Sequence, residues 1–90
     1  MSQIIITVQG VDKTGIVAAV AAVLAEYKVN IEDIKQTLMQ GHFVMFMLCD
    51  ISKSDNSFIE IKNALTQTGE KLGMEIWVQR KEIFDNMHNV

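Results

Sequence analysis

Gln9-Gly10-Val11-Asp12-Lys13-Thr14-Gly15, a polar stretch between two apolar ones, decides how this chain folds. An alternating apolar segment precedes it, and an almost uncharged run, residues 16–27, follows it. This order predicts a strand, a turn and a helix. Such a junction offers free backbone N–H groups at the helix start, where a carboxylate or another anion can bind. The same junction also occurs without any ligand, so both interpretations stay open.

The segments that flank the turn show the periods of a strand and of a helix. Residues 3–9 alternate between two faces, which predicts a half-buried strand. A helix is predicted from about Gly15 to Tyr27, and a side-chain oxygen of Thr14 or Asp12 is its predicted cap. The opposite side of this helix is rich in alanine, so it is either exposed helix surface or a contact with another subunit. Its apolar stripe consists of Ile16, Val20, Val23, Leu24 and Tyr27.

The middle of the chain predicts a hairpin. Asn30 is expected to take a left-handed position that ends the first helix. Residues 31–40 then follow the pattern of a strand, and Gln40-Gly41 supplies a tight turn into the next strand, residues 42–50. Because the second of these strands is apolar on both faces, it is predicted to lie in the centre of a sheet.

The last third predicts a second helix, a further strand and a helical tail. Ser57 and Glu60 fit a capping box at the start of the helix, and Gly73 ends it. Residues 74–80 alternate as the last strand. The tail, residues 81–90, is expected to pack back, since three apolar residues follow helical spacing: Ile83, Phe84 and Met87.

The order strand, helix, strand, strand, helix, strand predicts an α+β, ferredoxin-like βαββαβ fold. Its four-stranded antiparallel sheet carries both helices on one face, and a short helical tail follows. We expect residues 1–90 to form one domain, with a core over residues 3–80 and the tail over residues 81–90. The other sheet face would expose Ile5 and Trp77, so we expect the tail, a second subunit or both to cover it.

Composition limits the partners and the location of the chain. Hydrophobic residues make up 49% of its 90 residues, which favours burial of apolar surface against a partner, although a well-filled core is the alternative. The net charge of −3 and the lack of a basic run argue against nucleic-acid binding. The chain has no signal-like start and no apolar run of about 20 residues. We therefore expect a cytoplasmic protein that does not contact a membrane.

The sequence offers few groups for catalysis or for metal binding. Cys49 lies in an apolar strand and is predicted to be a core residue, while His42 is predicted to be an exposed turn residue. Alternation along the strand places these two side chains on opposite faces, so a catalytic dyad is not expected. The cysteine, histidine and carboxylate spacings match neither a zinc site nor a calcium loop. We therefore expect no catalytic residue, no metal and no cofactor.

Two segments together resemble the ACT domain, and in particular the small single-domain ACT proteins of bacteria and archaea. The first is Val8-Gln9-Gly10-Val11-Asp12-Lys13-Thr14-Gly15-Ile16-Val17 with Leu24-Ala25, and the second is Val29-Asn30-Ile31-Glu32-Asp33-Ile34. The resemblance covers about residues 3–80. It implies the fold predicted above, usually a homodimer, and allosteric binding of an amino acid or a similar small ligand without catalysis.

The resemblance also implies which residues bind the ligand. Thr14 belongs to the ligand loop but stands where many members carry proline or glycine, which leaves the ligand's identity open. Asp12 either holds an ammonium group or only caps the helix. Asn30 and Ile31 match a segment that meets the ligand across a subunit interface in many members. The other matching positions of the ligand loop are Gly10, Lys13, Gly15 and Ile16.

Two functions therefore compete. The first is a non-catalytic regulatory module, a homodimer or higher homo-oligomer that binds an amino-acid-type metabolite between subunits. Since the resemblance includes no enzyme domain, its signal would pass to a separate metabolic enzyme or regulator. The alternative is a protein–protein interaction subunit with no small-molecule ligand, which docks through its apolar surfaces.

Overall fold

The computed structural model describes residues 2–88, with the side chains of residues 2–86. The predicted fold class is confirmed, including the short C-terminal helix. The elements are β1 (Gln3–Val11), α1 (Ile16–Glu26), β2 (Asn30–Met39), β3 (His42–Asp50), α2 (Phe58–Leu72), β4 (Glu75–Arg80) and α3 (Lys81–His88).

The four strands form one antiparallel sheet in the order β2-β3-β1-β4. The central strand β1 pairs with β3 and with β4, so that Ile6 lies opposite both Met47 and Val78. All three side chains are buried. They belong to the core that the sheet shares with the two long helices, whose fully buried members include Ile4, Val8, Val20, Leu24, Met45, Cys49, Ile61 and Leu65.

Both ends of α1 differ from the prediction. Gly15 is the residue before the first helical turn, with φ 86°, and no side chain caps the helix, so the predicted cap by Thr14 or Asp12 is wrong. At the other end Lys28, not Asn30, takes the left-handed conformation, with φ 56°. The Val29 N–H then donates to the Leu24 carbonyl at 2.9 Å, which satisfies one of the last carbonyls of the helix. Asn30 already belongs to β2.

The predicted turn and cap signals elsewhere are confirmed. Gln40 and Gly41 both have positive φ, 51° and 80°, as the primed two-residue hairpin turn requires. At the start of α2 the Glu60 N–H donates to the Ser57 hydroxyl, and the Ser57 N–H donates to the Glu60 carboxylate. The Ser57 N–H contributes most to holding the pKa of the Glu60 carboxyl below its usual value, and the side chains of Ser57 and Asn56 contribute less.

The sheet face opposite α1 and α2 is only partly covered. Thr7 lies between Phe46 and Trp77 in the register, and these two aromatic side chains are 43% and 53% exposed. α3 turns back from β4 and contacts β1, where Ile5 is buried and Phe84 is half-buried. The tail therefore covers one end of this face through Phe84, as predicted, whereas Ile83 is 49% exposed and does not pack back. The side chain of Met87 lies outside the described part.

A buried glycine of α2 offers a direct test of the helix–sheet packing. A Cβ atom added at Gly69 would lie 2.9 Å from the Met74 carbonyl oxygen and 2.9 Å from Ile76 Cγ1. Glycine-to-alanine changes within helices ordinarily stabilise by about 1 kcal/mol. Because backbone must move here, we expect Gly69→Ala to lower the free energy of unfolding by about 1–3 kcal/mol.

Urea unfolding at a fixed protein concentration measures this change. The exposed helical residue Asn63 provides the control, since Asn63→Ala is expected to leave the free energy of unfolding unchanged or slightly higher. A Gly69→Ala protein as stable as the original would show that α2 does not pack against β4 as closely as described.

Candidate functional site

The turn between β1 and α1 depends on two glycines for different reasons. Gly10 packs closely against Met74, the residue before β4, because a Cβ atom added at Gly10 would lie 2.8 Å from Met74 Sδ. Gly15 has a positive φ, and no atom lies within 4 Å of the position of its missing Cβ. The start of α1 therefore opens onto free space, which a bound molecule can occupy.

The backbone N–H groups at this helix start are available to an acceptor from outside. α1 has no side-chain cap and no acidic residue in its first turn. The first N–H groups of a helix have no acceptor within the helix, and they carry the positive end of its dipole. Ile16 is buried beneath them and anchors the first turn in the core. This arrangement suits a carboxylate.

Two hydrogen bonds hold the turn to its neighbours. The Asp12 N–H donates to the Gly41 carbonyl at 2.9 Å, which ties the turn to the β2–β3 hairpin. The Lys13 ammonium donates to the Leu72 carbonyl at 2.6 Å, at the C-terminus of α2. A cation is favourable there because the last carbonyls of a helix carry partial negative charge. Lys13 thus positions the turn, and its ammonium is directed to α2.

A small cavity lies beside the turn, at the open edge of the sheet. Its volume is about 350 Å³. Asp12 is the predicted site residue that lines it, and the others are Gln36, Thr37, Leu38 and Phe43. These four residues were not among the predicted site residues. The Gln40-Gly41 turn signal could have indicated them. Residues on either side of a hairpin turn lie near any segment that contacts the turn, as Asp12 does here through its bond to the Gly41 carbonyl.

Asn30 and Ile31 lie at the far end of the same sheet. Asn30 pairs with Asp50, which pairs with Gln3, whereas Gly10 pairs with Phe43 near the hairpin turn. The separation between Gln3 and Gly10 along a strand is about 23 Å, at about 3.3 Å per residue. One chain therefore brings together the predicted residues from Gly10 to Ile16 but not Asn30 and Ile31.

Asn30 borders a different cavity, of about 400 Å³, at the end of α1. Its lining includes Lys28, Asp50 and Lys53. Two donors from Ser52, its N–H first and its hydroxyl second, hold the pKa of the Asp50 carboxyl below its usual value. Lys28 forms an exposed ion pair with Asp55 at 3.2 Å. This end of the chain offers both charges and the Asn30 amide to a polar ligand.

Cys49 is a core residue, as predicted. Its side chain is fully buried, and burial raises the pKa of its thiol to about 12, with a smaller contribution from Glu32. His42 is exposed. Among residues 2–86, whose side chains are described, histidine, cysteine and carboxylate groups form no group of three that would suit a metal ion. No helix in that range has the length and the apolar character to cross a membrane.

Comparison with known proteins gives a consistent result. Residues 2–79 match the family model of the ACT domain. A UPF0237 protein of Methanococcus maripaludis is 49% identical over 90 residues, which cover 100% of both chains. The solved ACT domain protein of Streptococcus pneumoniae is 37% identical with a TM-score of 0.80, over 93% of this chain and 94% of that one.

A solved structure described as a putative glycine cleavage system transcriptional repressor is also similar. It is 23% identical, with a TM-score of 0.78, over 88% of this chain and 45% of that one. At this level of identity the similarity shows the fold alone.

The buried thiol gives a simple test of the core. Because burial raises the pKa of Cys49 to about 12, its reactive thiolate is scarce at pH 8. We expect the native protein to react with a disulfide reagent such as dithionitrobenzoate only as fast as it unfolds. The same protein in concentrated urea is expected to react at once. Rapid reaction of the native protein would contradict the placement of Cys49 between the sheet and the helices.

Proposed function

Since the chain belongs to the ACT domain family, whose members are regulatory ligand-binding modules, we propose that it binds an amino acid or a similar small metabolite between two copies of itself and performs no catalysis. The observation that supports this most is the open, uncapped start of α1 behind Gly15. A separate metabolic enzyme or regulator would receive the signal.

In this proposal the two charged groups of an amino acid meet two parts of the turn. The carboxylate accepts hydrogen bonds from the N–H groups at the start of α1, where Gly15 leaves room. The exposed Asp12 carboxylate, which lines the neighbouring cavity, holds the ammonium group. Gly10, Lys13 and Thr14 shape the turn, and Lys13 does so through its bond to the Leu72 carbonyl.

The edge strand β2 is the proposed contact between the two copies. Met39 and His42 flank a two-residue turn, so their backbone groups bond to each other. The residues that alternate with Met39 along β2 therefore direct their N–H groups away from β3, to the open edge. These residues are Leu38, Gln36 and Ile34. In agreement, the Ile34 N–H donates to the Asp33 carboxylate at 2.9 Å. Ile34 and Leu38 are 40% and 60% exposed, and an exposed apolar edge strand readily pairs with another strand.

Pairing two β2 strands completes the proposed site. In an antiparallel, two-fold pair, the first residues of one strand lie beside the last residues of the other. Asn30 of the partner subunit then lies near the Gln40-Gly41 turn, whose Gly41 carbonyl holds Asp12. Asn30 and Ile31 thus reach the ligand from the second chain, and the two-fold axis repeats the site.

A ligand that contacts both chains binds the dimer more tightly than the monomer, and it shifts the monomer–dimer equilibrium by that difference in affinity.

A second function is supported by a different feature. Phe46 and Trp77 remain exposed on the sheet face that α3 leaves uncovered, and this favours a subunit that docks to another protein without a small ligand.

A thermal-shift screen with the common amino acids tests the proposed ligand class. An amino acid present at 100 times its Kd adds about 2.7 kcal/mol of stability, which corresponds to a rise in Tm on the order of 10 °C for a domain of this size. We expect at least one amino acid to give a saturable rise in Tm that is lost in both Asn30→Ala and Gly15→Val.

Asn63→Ala is the matched control for Asn30→Ala, because Asn63 is also an exposed asparagine and lies on α2, outside the proposed site. It is expected to keep the response. If no amino acid shifts the Tm, and a stable complex with another protein is recovered from cell extract, the docking function replaces ligand sensing.

The edge contact has its own test in Gln36→Pro. Proline removes an N–H that points away from β3, so the β2–β3 ladder is expected to remain while pairing with a second β2 is blocked. Light scattering after gel filtration is expected to show a dimer for the original protein and for Gln36→Ala, and a monomer for Gln36→Pro. A dimer that survives Gln36→Pro would place the subunit contact elsewhere.

A further inference from the structure

A hollow lies on the sheet face that the two long helices leave open. Its volume is about 310 Å³, at the lower end of the range of roughly 300–1,000 Å³ typical of small-molecule sites. The register places Leu48 between Ile5 and Asp33 in one row across the strands, and Phe46 beside Lys35 in the next row. Phe84 of α3 closes the hollow from one side.

The interior of this hollow is apolar. Ile5 is 9% exposed and Leu48 is half-buried, while the Phe46 ring is 43% exposed. Apolar side chains thus line a space that they do not fill. Transfer of apolar surface out of water is favourable by about 25 cal/mol per Å². An apolar group that enters the hollow would gain this energy from both contacting surfaces.

The rim of the hollow carries one charge of each sign. Asp33 and Lys35 lie two residues apart on the same side of β2, with Cα atoms about 7 Å from each other. One oxygen of the Asp33 carboxylate accepts the Ile34 N–H at 2.9 Å, and the other stays available. Lys35 makes no hydrogen bond or ion pair with any residue whose side chain is described. The rim therefore suits a head group that carries both charges.

We propose that this hollow binds an α-amino acid with a large apolar side chain, of the size of leucine or phenylalanine. The side chain packs on Leu48 between the rings of Phe46 and Phe84. The carboxylate pairs with Lys35, and the ammonium group pairs with Asp33. A ligand with a carboxylate alone, such as a fatty acid, would leave Asp33 unpaired beside a like charge.

This second site is independent of the site at the start of α1. The hollow lies on the opposite face of the sheet from both long helices, and none of the residues between Gly10 and Ile16 lines it. A ligand in the hollow contacts residues of one chain only, including Phe84 of α3. Binding there would link the position of α3 to the presence of the ligand.

Isothermal titration of the whole protein with L-phenylalanine tests the proposal, with L-alanine, 3-phenylpropionate and phenethylamine as comparison probes. Each comparison probe lacks the apolar side chain, the ammonium group or the carboxylate. 3-Phenylpropionate and phenethylamine each lose a charge-assisted hydrogen bond, and L-alanine loses the buried apolar side chain. We therefore expect each of them to bind at least about tenfold more weakly than L-phenylalanine. Equal binding of 3-phenylpropionate would overturn the assignment of Asp33.

Variants locate the site. We expect Lys35→Gln and Phe84→Ala each to weaken L-phenylalanine binding at least about tenfold. Lys71→Gln, which changes an exposed lysine of α2 on the other side of the sheet, is expected to leave it unchanged. Gly15→Val is also expected to leave it unchanged. If the Phe84→Ala protein fails to fold, the affinity of the Lys35→Gln protein for L-phenylalanine is sufficient to test the location of the site.

Two results would overturn the hollow as a site. If L-phenylalanine binding is lost in Gly15→Val and kept in Lys35→Gln, the ligand lies at the start of α1, which would support the proposed function instead. If neither L-phenylalanine nor L-leucine binds at millimolar concentration, the hollow is not an amino-acid site. The thermal-shift screen with amino acids would then test the proposed function at the start of α1 separately from the hollow.

Discussion

The pairing of β1 with a strand on each side determines the register of the sheet and the positions of the segments predicted to bind a ligand. Its alternate apolar residues face α1 and α2, and their burial fixes the register of both neighbouring strands, because a slip of one residue would turn them to the other face. The same pairing keeps the turn at Gly10 and the start of β2 at opposite ends of the sheet. A chain held this way cannot fold Asn30 onto its own helix start, and any site that uses both needs a second chain.

The sheet then leaves two different surfaces for partners. The edge of β2 directs backbone groups outward in a regular row, of which the Ile34 N–H is satisfied by its neighbour Asp33, and such an edge selects another strand. The open face offers apolar side chains, of which α3 covers those near Ile5 and leaves Phe46 and Trp77 exposed. Pairing of two β2 edges would extend the sheet and leave both open faces on the same side. The two surfaces therefore do not compete, and an occupied edge is compatible with an occupied hollow.

The order of elements, the Gln40-Gly41 turn and the capping box at Ser57 were predictable because each follows from a few neighbouring residues. The ends of α1 were not. Thr14 and Asp12 have side chains that suit a cap. The hydrogen bond from the Asp12 N–H to the Gly41 carbonyl fixes the turn from outside, and Gly15 is the residue that precedes the helix. Lys28 adopts a conformation for which Asn30 is better suited, because the helix runs only to Glu26 before β2 begins. The bond of Lys13 to the Leu72 carbonyl joins residues far apart in sequence, and no local pattern indicates it. The cavities beside Asp12 and beside Phe84 likewise arise only from packing between distant segments.

A mixed dimer of Gly15→Val and Asn30→Ala chains tests most directly whether the site is shared between two copies. Each variant alone damages both sites of its own dimer, whereas the mixed dimer combines an intact helix start from one chain with an intact Asn30 from the other. The two chains are purified together by different affinity tags and titrated with an amino acid whose stabilisation is lost in each single variant. A shared site predicts about one equivalent of ligand per mixed dimer at the original affinity, against about two for the original protein, because the two-fold axis repeats the site. A mixed dimer as defective as either variant alone would contradict the account.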